Sequence, residues 1–223
     1  MSTPTIFVLS TRQLSAALID EAAASGVRLD ALEFIRTEPM PVNDLPKGPV
    51  AVVFTSQQAV EALPAAGVGW TIFCIEGATR RLAETKFGEG AIAGAASSAG
   101  ELAKVIIDAA VGKPVVFFCG DQRLDALPVQ LREAGIAVEE RIVYRTLLTP
   151  HRLEREYRGI AFFSPSAVES FFSMNAVSAE TVLFAIGRTT AAAILARTGR
   201  EAIVSSRPDK EVLIHQMIAY FTI

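Results

Sequence analysis

The sequence predicts an α/β protein made of two similar, doubly wound parallel-sheet halves. Three observations predict it: a long internal duplication, short apolar runs, and helical stretches that alternate with those runs. FTSQQAVEAL from Phe54 returns as FSPSAVESFF from Phe163, pairing Ser56 with Ser164 and Glu61 with Glu169, an offset of 164 − 56 = 108. IFCIEGATRRLA from Ile72 returns as LFAIGRTTAAAILA from Leu183, pairing Thr79 with Thr190 at 190 − 79 = 111. AIAGAASSAGEL ending at Leu102 answers AIVSSRPDKEVL ending at Leu213, again at 213 − 102 = 111. IFVLSTRQ from Ile6 has a weaker counterpart in VFFCGDQR from Val116. A repeat of this length points to two facing domains with a ligand cleft between them.

Each half reads as strand and helix in alternation. The runs Ile6–Leu9, Val50–Phe54, Thr71–Ile75, Val115–Cys119, Ile160–Phe163 and Val182–Ile186 are β-branched, aromatic or aliphatic on consecutive positions. That pattern suits strands covered on both faces, hence a parallel sheet between helical layers. Between them the chain is rich in Ala, Leu, Arg and Glu and predicts helices over about Arg12–Ser25, Gln58–Leu63, Thr79–Thr85, Gly100–Ala110, Leu124–Ala134, Ala167–Met174, Thr190–Arg197 and Lys210–Tyr220. Gly26, Gly135 and Gly199 follow three of these as helix C-terminal caps. Regular βα alternation implies right-handed crossovers in an open sheet.

Two segments break the rhythm. Glu38–Pro49 holds four prolines and suits neither a helix nor a central strand. Its counterpart, Tyr144–Arg158, carries Pro150 and many charges. Both read as inter-domain crossings. The residues alone leave two partitions open: halves divided near residue 110, or an exchange of the first βαβ unit to the other half.

Composition narrows the function. The chain of 223 residues is 51% hydrophobic and 20% charged, enough apolar material for two cores. A formal charge of −3 with no Lys/Arg-dense segment argues against nucleic acid. No stretch reaches bilayer length, and no segment has the shape of a signal peptide, so a cytoplasmic protein is expected. Cys74 and Cys119 each sit in an apolar run and are expected as free thiols. His151 and His215 lie far apart with no partners at ligand spacing, so no metal is expected.

In a doubly wound sheet ligands bind where strand ends lead into helix N-termini. Here those loops share hydroxyls: Ser56, Thr79, Ser164 with Ser166, and Thr189 with Thr190. Two readings stay open. Each hydroxyl is an N-cap for its own helix, or four helix N-termini turn free N–H groups and positive dipole ends toward an anionic ligand. Ile186-Gly187-Arg188-Thr189-Thr190 is neither a dinucleotide fingerprint nor a P-loop. No Gly-x-Ser-x-Gly motif marks a nucleophile. An enzyme of this sequence would work with hydroxyls, amides, a few arginines and Tyr144.

FTSQQAVEAL, CIEGATRRLA, FFCGDQRLDALPVQLREAGIAVEERIVYRTL, FFSPSAVESFF and AIGRTTAAAILARTG together resemble the uroporphyrinogen-III synthase family, in family order over roughly Ile6 to Ile218. The resemblance implies two flavodoxin-like domains joined by a two-stranded linker: one of residues 1–36 plus 148–223, the other of 39–145. It implies a cofactor-independent lyase of haem biosynthesis, working as a monomer on a small-molecule substrate. That enzyme cyclises linear hydroxymethylbilane to uroporphyrinogen III with loss of water and inversion of the terminal pyrrole ring. Eight substrate carboxylates would meet local amides rather than a global field.

By position the resemblance implies that Ser56, Thr79, Ser164, Thr189 and Thr190 line the substrate site. Gly187 would let backbone approach substrate, and Tyr144 would assist hydroxyl departure as a hydrogen-bond donor, against a plainer reading as a packed hinge residue. Arg12, Arg123 and Arg188 are offered as carboxylate partners, each with a plainer reading as a solvated loop charge. Phe162, Phe163, Phe171 and Phe172 are assigned to the core. Glu76 stands where the family usually has Gly, and Gln57 where it usually has Pro. A non-catalytic module that binds a tetrapyrrole or another polyanion is the alternative.

Overall fold

The computed structural model describes residues 6–64, 69–109 and 114–222. Contacts divide the chain into two compact units, Met1–Arg36 with Leu147–Ile223 (unit 1) and Thr37–Thr146 (unit 2).

Unit 1 contains β1 (Ile6–Ser10), α1 (Ala16–Ala24) and β2 (Val27–Ala31) from the start of the chain. To these it adds β9 (Gly159–Phe162), α6 (Pro165–Phe172), β10 (Val182–Ala185), α7 (Arg188–Thr198), β11 (Ile203–Val204) and α8 (Lys210–Thr222). Its sheet is parallel in the order β11-β10-β9-β1-β2. One face packs Leu9, Phe162, Phe171, Leu183 and Ile194 together, the other Val8, Leu29, Phe184, Leu213 and Met217.

Unit 2 runs β4 (Val50–Phe54), α2 (Gln57–Glu61), β5 (Trp70–Ile75), α3 (Ala78–Phe87), β6 (Ile92–Ala96), α4 (Ala99–Asp108), β7 (Val115–Gly120), α5 (Ala126–Glu133) and β8 (Val138–Leu148). Its parallel order is β6-β5-β4-β7-β8, and β3 (Ile35–Pro39) lies outside β8 as the edge strand. Unit 2 thus lays out one continuous stretch in the order that unit 1 assembles from two. On β7, Val115, Phe117 and Cys119 enter one core while Val116 and Phe118 enter the other. Burial on both faces is the reason for its unbroken apolar run.

The six apolar runs are all strands. The strands less visible in sequence, β2, β3, β6 and β11, are sheet edges, and β8 lies one place in from an edge. A margin strand keeps polar residues on its open side and loses the continuous apolar signature. Tyr144–Leu148, expected within an irregular crossing, is the last part of β8. The peptide N–H of Met40 donates to the Val143 carbonyl, and that of Thr149 to the Phe34 carbonyl, so the β3–β8 ladder is antiparallel. Pro39 closes β3, where an edge tolerates its missing N–H.

Helix starts also move. Ser10 donates its hydroxyl to the Arg12 carbonyl (2.6 Å), and the chain stays extended at Ser15, so α1 begins at Ala16 rather than Arg12. Ala110, the expected end of the fourth helix, lies outside the described residues. Gly26, Gly135 and Gly199 do follow α1, α5 and α7 with left-handed backbone. Cys74 and Cys119 are free, and burial pushes both thiols up to about 11. Among the described residues no helix is long and apolar enough to cross a membrane.

Candidate functional site

The predicted residues follow the carboxyl ends of the parallel strands, save Tyr144, which lies within β8. They divide between the units: Ser56, Thr79, Arg123 and Tyr144 in unit 2, and Arg12, Ser164, Gly187, Arg188, Thr189 and Thr190 in unit 1.

In unit 2, Ser56 is the N-cap of α2 and accepts the Ala59 N–H at 3.3 Å. Tyr144 donates its phenol to the same Ser56 oxygen at 3.1 Å. Because Ser56 accepts both bonds, its own proton remains available to donate. Tyr144 reaches this position through a register shift. Cys119 faces Ile142 across the β7–β8 ladder, but Gly120 faces Tyr144, so Val143 is an inserted residue. A bulge of this kind re-aims the following side chain. Burial is the largest influence on the phenol and raises its pKa, while the bond to Ser56 opposes it. The phenol is therefore a proton donor throughout the neutral range.

The repeat-paired helices α2 and α6 begin differently from α3 and α7. Ser164 caps α6 as Ser56 caps α2, accepting the Ala167 N–H at 3.1 Å. The caps of α3 and α7 are glycines, Gly77 and Gly187, which bring no side chain. In these helices the first bonded amides are Arg81, to the Gly77 carbonyl, and Ala191, to the Gly187 carbonyl. The first-turn amides of residues 78–80 and 188–190 have no acceptor within their helices. Each set is a small positive pole with nothing of its own helix to neutralise it.

The threonines are not caps. Thr79 is the second residue of α3 and Thr190 the third of α7, only 6% and 1% exposed. Thr79 is buried with Ala83 and Thr190 with Ile194, so the inward pairs keep the repeat offset of 194 − 83 = 111. Their side chains face inward by helical phase, and what these positions present is backbone. Thr189 and Arg188 are partly or fully exposed at the start of α7, and Arg12 is exposed in the β1–α1 loop.

Gly187 is extended (φ −171°, ψ 176°), and an added Cβ would meet nothing within 4 Å. Neither backbone strain nor packing calls for glycine there. Gly77 differs, because its φ of 78° favours glycine by itself.

Arg123 is engaged within its own unit. Its guanidinium bonds Glu140 and lies 3.2 Å from Asp125, while Arg132 also reaches Glu140. Sequence alone did not point to this partner, 17 residues away. Nor did it assign a role to Gly120, which lies in one of the segments that carry the family resemblance. Glu76 is exposed in the β5–α3 loop, its peptide N–H bonded to the Ala96 carbonyl. Among the described residues no group of three or more His, Cys, Asp or Glu side chains gathers to hold a metal.

A family model described as uroporphyrinogen-III synthase HemD matches residues 8–215. Among solved structures, uroporphyrinogen-III synthetase from Helicobacter pylori is 18% identical, with a TM-score of 0.62 over 96% of this chain and 99% of that one. A mutant uroporphyrinogen III synthase from the extremely thermophilic bacterium Thermus thermophilus is also 18% identical, with a TM-score of 0.63 over 96% and 98%. At that identity the likeness is one of fold. No curated protein matches in sequence. The two repeated parallel sheets and the match along nearly the whole chain lead to one conclusion: the chain belongs to the uroporphyrinogen-III synthase family.

Proposed function

We propose that the chain performs its family's reaction, closing hydroxymethylbilane to uroporphyrinogen III with loss of water and inversion of the terminal ring, and that Tyr144 acts on the departing hydroxyl. The reading rests on the Tyr144–Ser56 pair, which holds a protonated phenol beside a serine whose own proton is free. A hydrogen bond to the leaving oxygen lowers the barrier to its departure, and the electron-deficient carbon that remains is attacked by the terminal ring. The remaining task is geometric, since the bilane must be held so that the ring inverts before closure.

For binding, the uncapped starts of α3 and α7 support a role in holding substrate carboxylates through the amides at Thr79, Thr189 and Thr190. Ser56 and Ser164 add hydroxyl donors. Open space at Gly187 supports close approach of substrate to backbone. Arg12, exposed in the β1–α1 loop, and Arg188, exposed in the first turn of α7, are proposed as carboxylate partners. Arg123 is proposed as a weaker partner, because Glu140 and Asp125 already share its charge. The two units are proposed to act as domains of residues 1–36 plus 148–223 and 39–145. Buried free thiols support a reducing cytoplasm, and two self-contained cores support a monomer.

The test supplies hydroxymethylbilane from the enzyme that makes it, adds this protein, oxidises the products and separates the porphyrin isomers. A type III product is expected. Type I alone, together with measurable bilane binding, would replace the enzyme with a non-catalytic tetrapyrrole-binding module.

A further inference from the structure

We propose that Asp121 is the positioning residue that sets the Tyr144 phenol, an inference that rests on the reading of Tyr144 as the catalytic donor. β7 ends at Gly120, whereas β8 runs on to Leu148. Beyond the bulge, β8 has lost the neighbour strand that would fix it on that side. Asp121 takes over at this point. Its peptide N–H donates to the Tyr144 carbonyl at 3.2 Å, and its Oδ1 accepts the Thr146 N–H at 2.9 Å.

The two bonds bracket Tyr144 from one residue. The first fixes the peptide that follows the tyrosine, and the second fixes the strand two residues further on. Together they hold the backbone from which the side chain leaves at the bulge. A short Asx side chain suits this work because its oxygen reaches a backbone amide of a nearby strand without extra rotatable bonds. The charge at Asp121 adds to the burial that keeps the phenol protonated. Asp121 itself is exposed and contributes nothing to either core, so its loss leaves the packing of unit 2 in place.

The experiment compares D121L, which has similar shape and no oxygen, with D121N, which keeps the acceptor, each alone and combined with Y144F. D121L is expected to lower kcat about tenfold with KM changed less than about twofold, since small misplacement of a reacting group is costly. D121N should restore kcat to within about threefold of the parent. On the Y144F background D121L should cost no more than about a further twofold, because residues acting as one unit are non-additive. An equal loss on both backgrounds overturns the proposal, as does full turnover of D121L beside an impaired Y144F. If Y144F itself keeps full turnover, the role of Tyr144 falls and this inference with it. Melting temperatures of both Asp121 variants accompany the kinetics, and D121A replaces D121L if the latter does not fold.

Discussion

The Tyr144 ring lies over Gly120 so closely that a Cβ on residue 120 would stand 2.5 Å from Cζ and 2.8 Å from the phenol oxygen. Gly120 therefore forms the seat of the phenol. Gly120→Ala must push the ring aside and disturb its bond to Ser56. Overpacking of this kind should cost about 1–3 kcal/mol of stability, and turnover should fall by more than about tenfold. Thermal melts and steady-state kinetics on the same preparation check both parts.

Tyr144→Phe keeps the ring on Gly120 and removes only the donor. Turnover should fall roughly 10- to 100-fold while KM changes little, the mark of an interaction made in the transition state. A variant with unchanged kcat would remove the phenol from the mechanism.

Ser56→Ala and Ser164→Ala separate capping from chemistry. Each loses an N-cap bond, and each should cost about 1 kcal/mol in denaturant unfolding. Ser56→Ala also leaves the Tyr144 phenol without its acceptor. Its kcat should fall further than that of Ser164→Ala, and equal losses would count against the hydroxyl pair.

Gly187→Ala and Gly77→Ala form a second contrast. Gly187 has ordinary extended backbone and open space, so alanine there should leave stability within about 0.5 kcal/mol. If bilane approaches the start of α7, KM should nonetheless rise on the order of tenfold, the cost of a lost close contact. At Gly77, with φ of 78°, alanine should cost about 1 kcal/mol or more before any substrate is added. Unfolding curves and KM values together distinguish the two glycines.

Glu140 gives a prediction in pH. Its bonds to Arg123 first, and to Arg132, hold the carboxyl below its usual pKa. A depressed native pKa means that the folded state binds fewer protons than the unfolded one at mildly acid pH. Its stabilisation is therefore present above the unfolded value of about 4.3 and is lost as pH falls through the lower, native value. Glu140→Gln should melt about 3 °C below the parent at pH 7, for roughly 1 kcal/mol lost. The gap should narrow as pH falls below the unfolded value and close once it passes through the lower, native one, as followed by circular dichroism.

Much of the fold was legible because central parallel strands are buried on both sides. VVFFCG of β7 could hardly be anything else, whereas IAGAA of β6 and VRLDA of β2 carry the mixed signature of edges. The site was legible only as a set of strand-end loops. Thr79 and Thr190 read as helix caps or site-lining hydroxyls, yet the phase set by Ala83 and Ile194 turns them inward. The seat of Tyr144 depends on a bulge against a strand that precedes it by 144 − 120 = 24 residues, and Arg123 on a partner on β8, beyond α5. Such pairings are decided by strand register, which local residue patterns do not encode.

The discontinuity of unit 1 bears on synthesis. On a ribosome, unit 2 is complete before Leu147 is added, while β1 has only β2 beside it until the residues of β9 are made. The earliest-born strands thus finish last, and the nascent chain carries an open sheet edge past a neighbour that is already folded. Such an edge is a template for wrong pairing until β9 fills it.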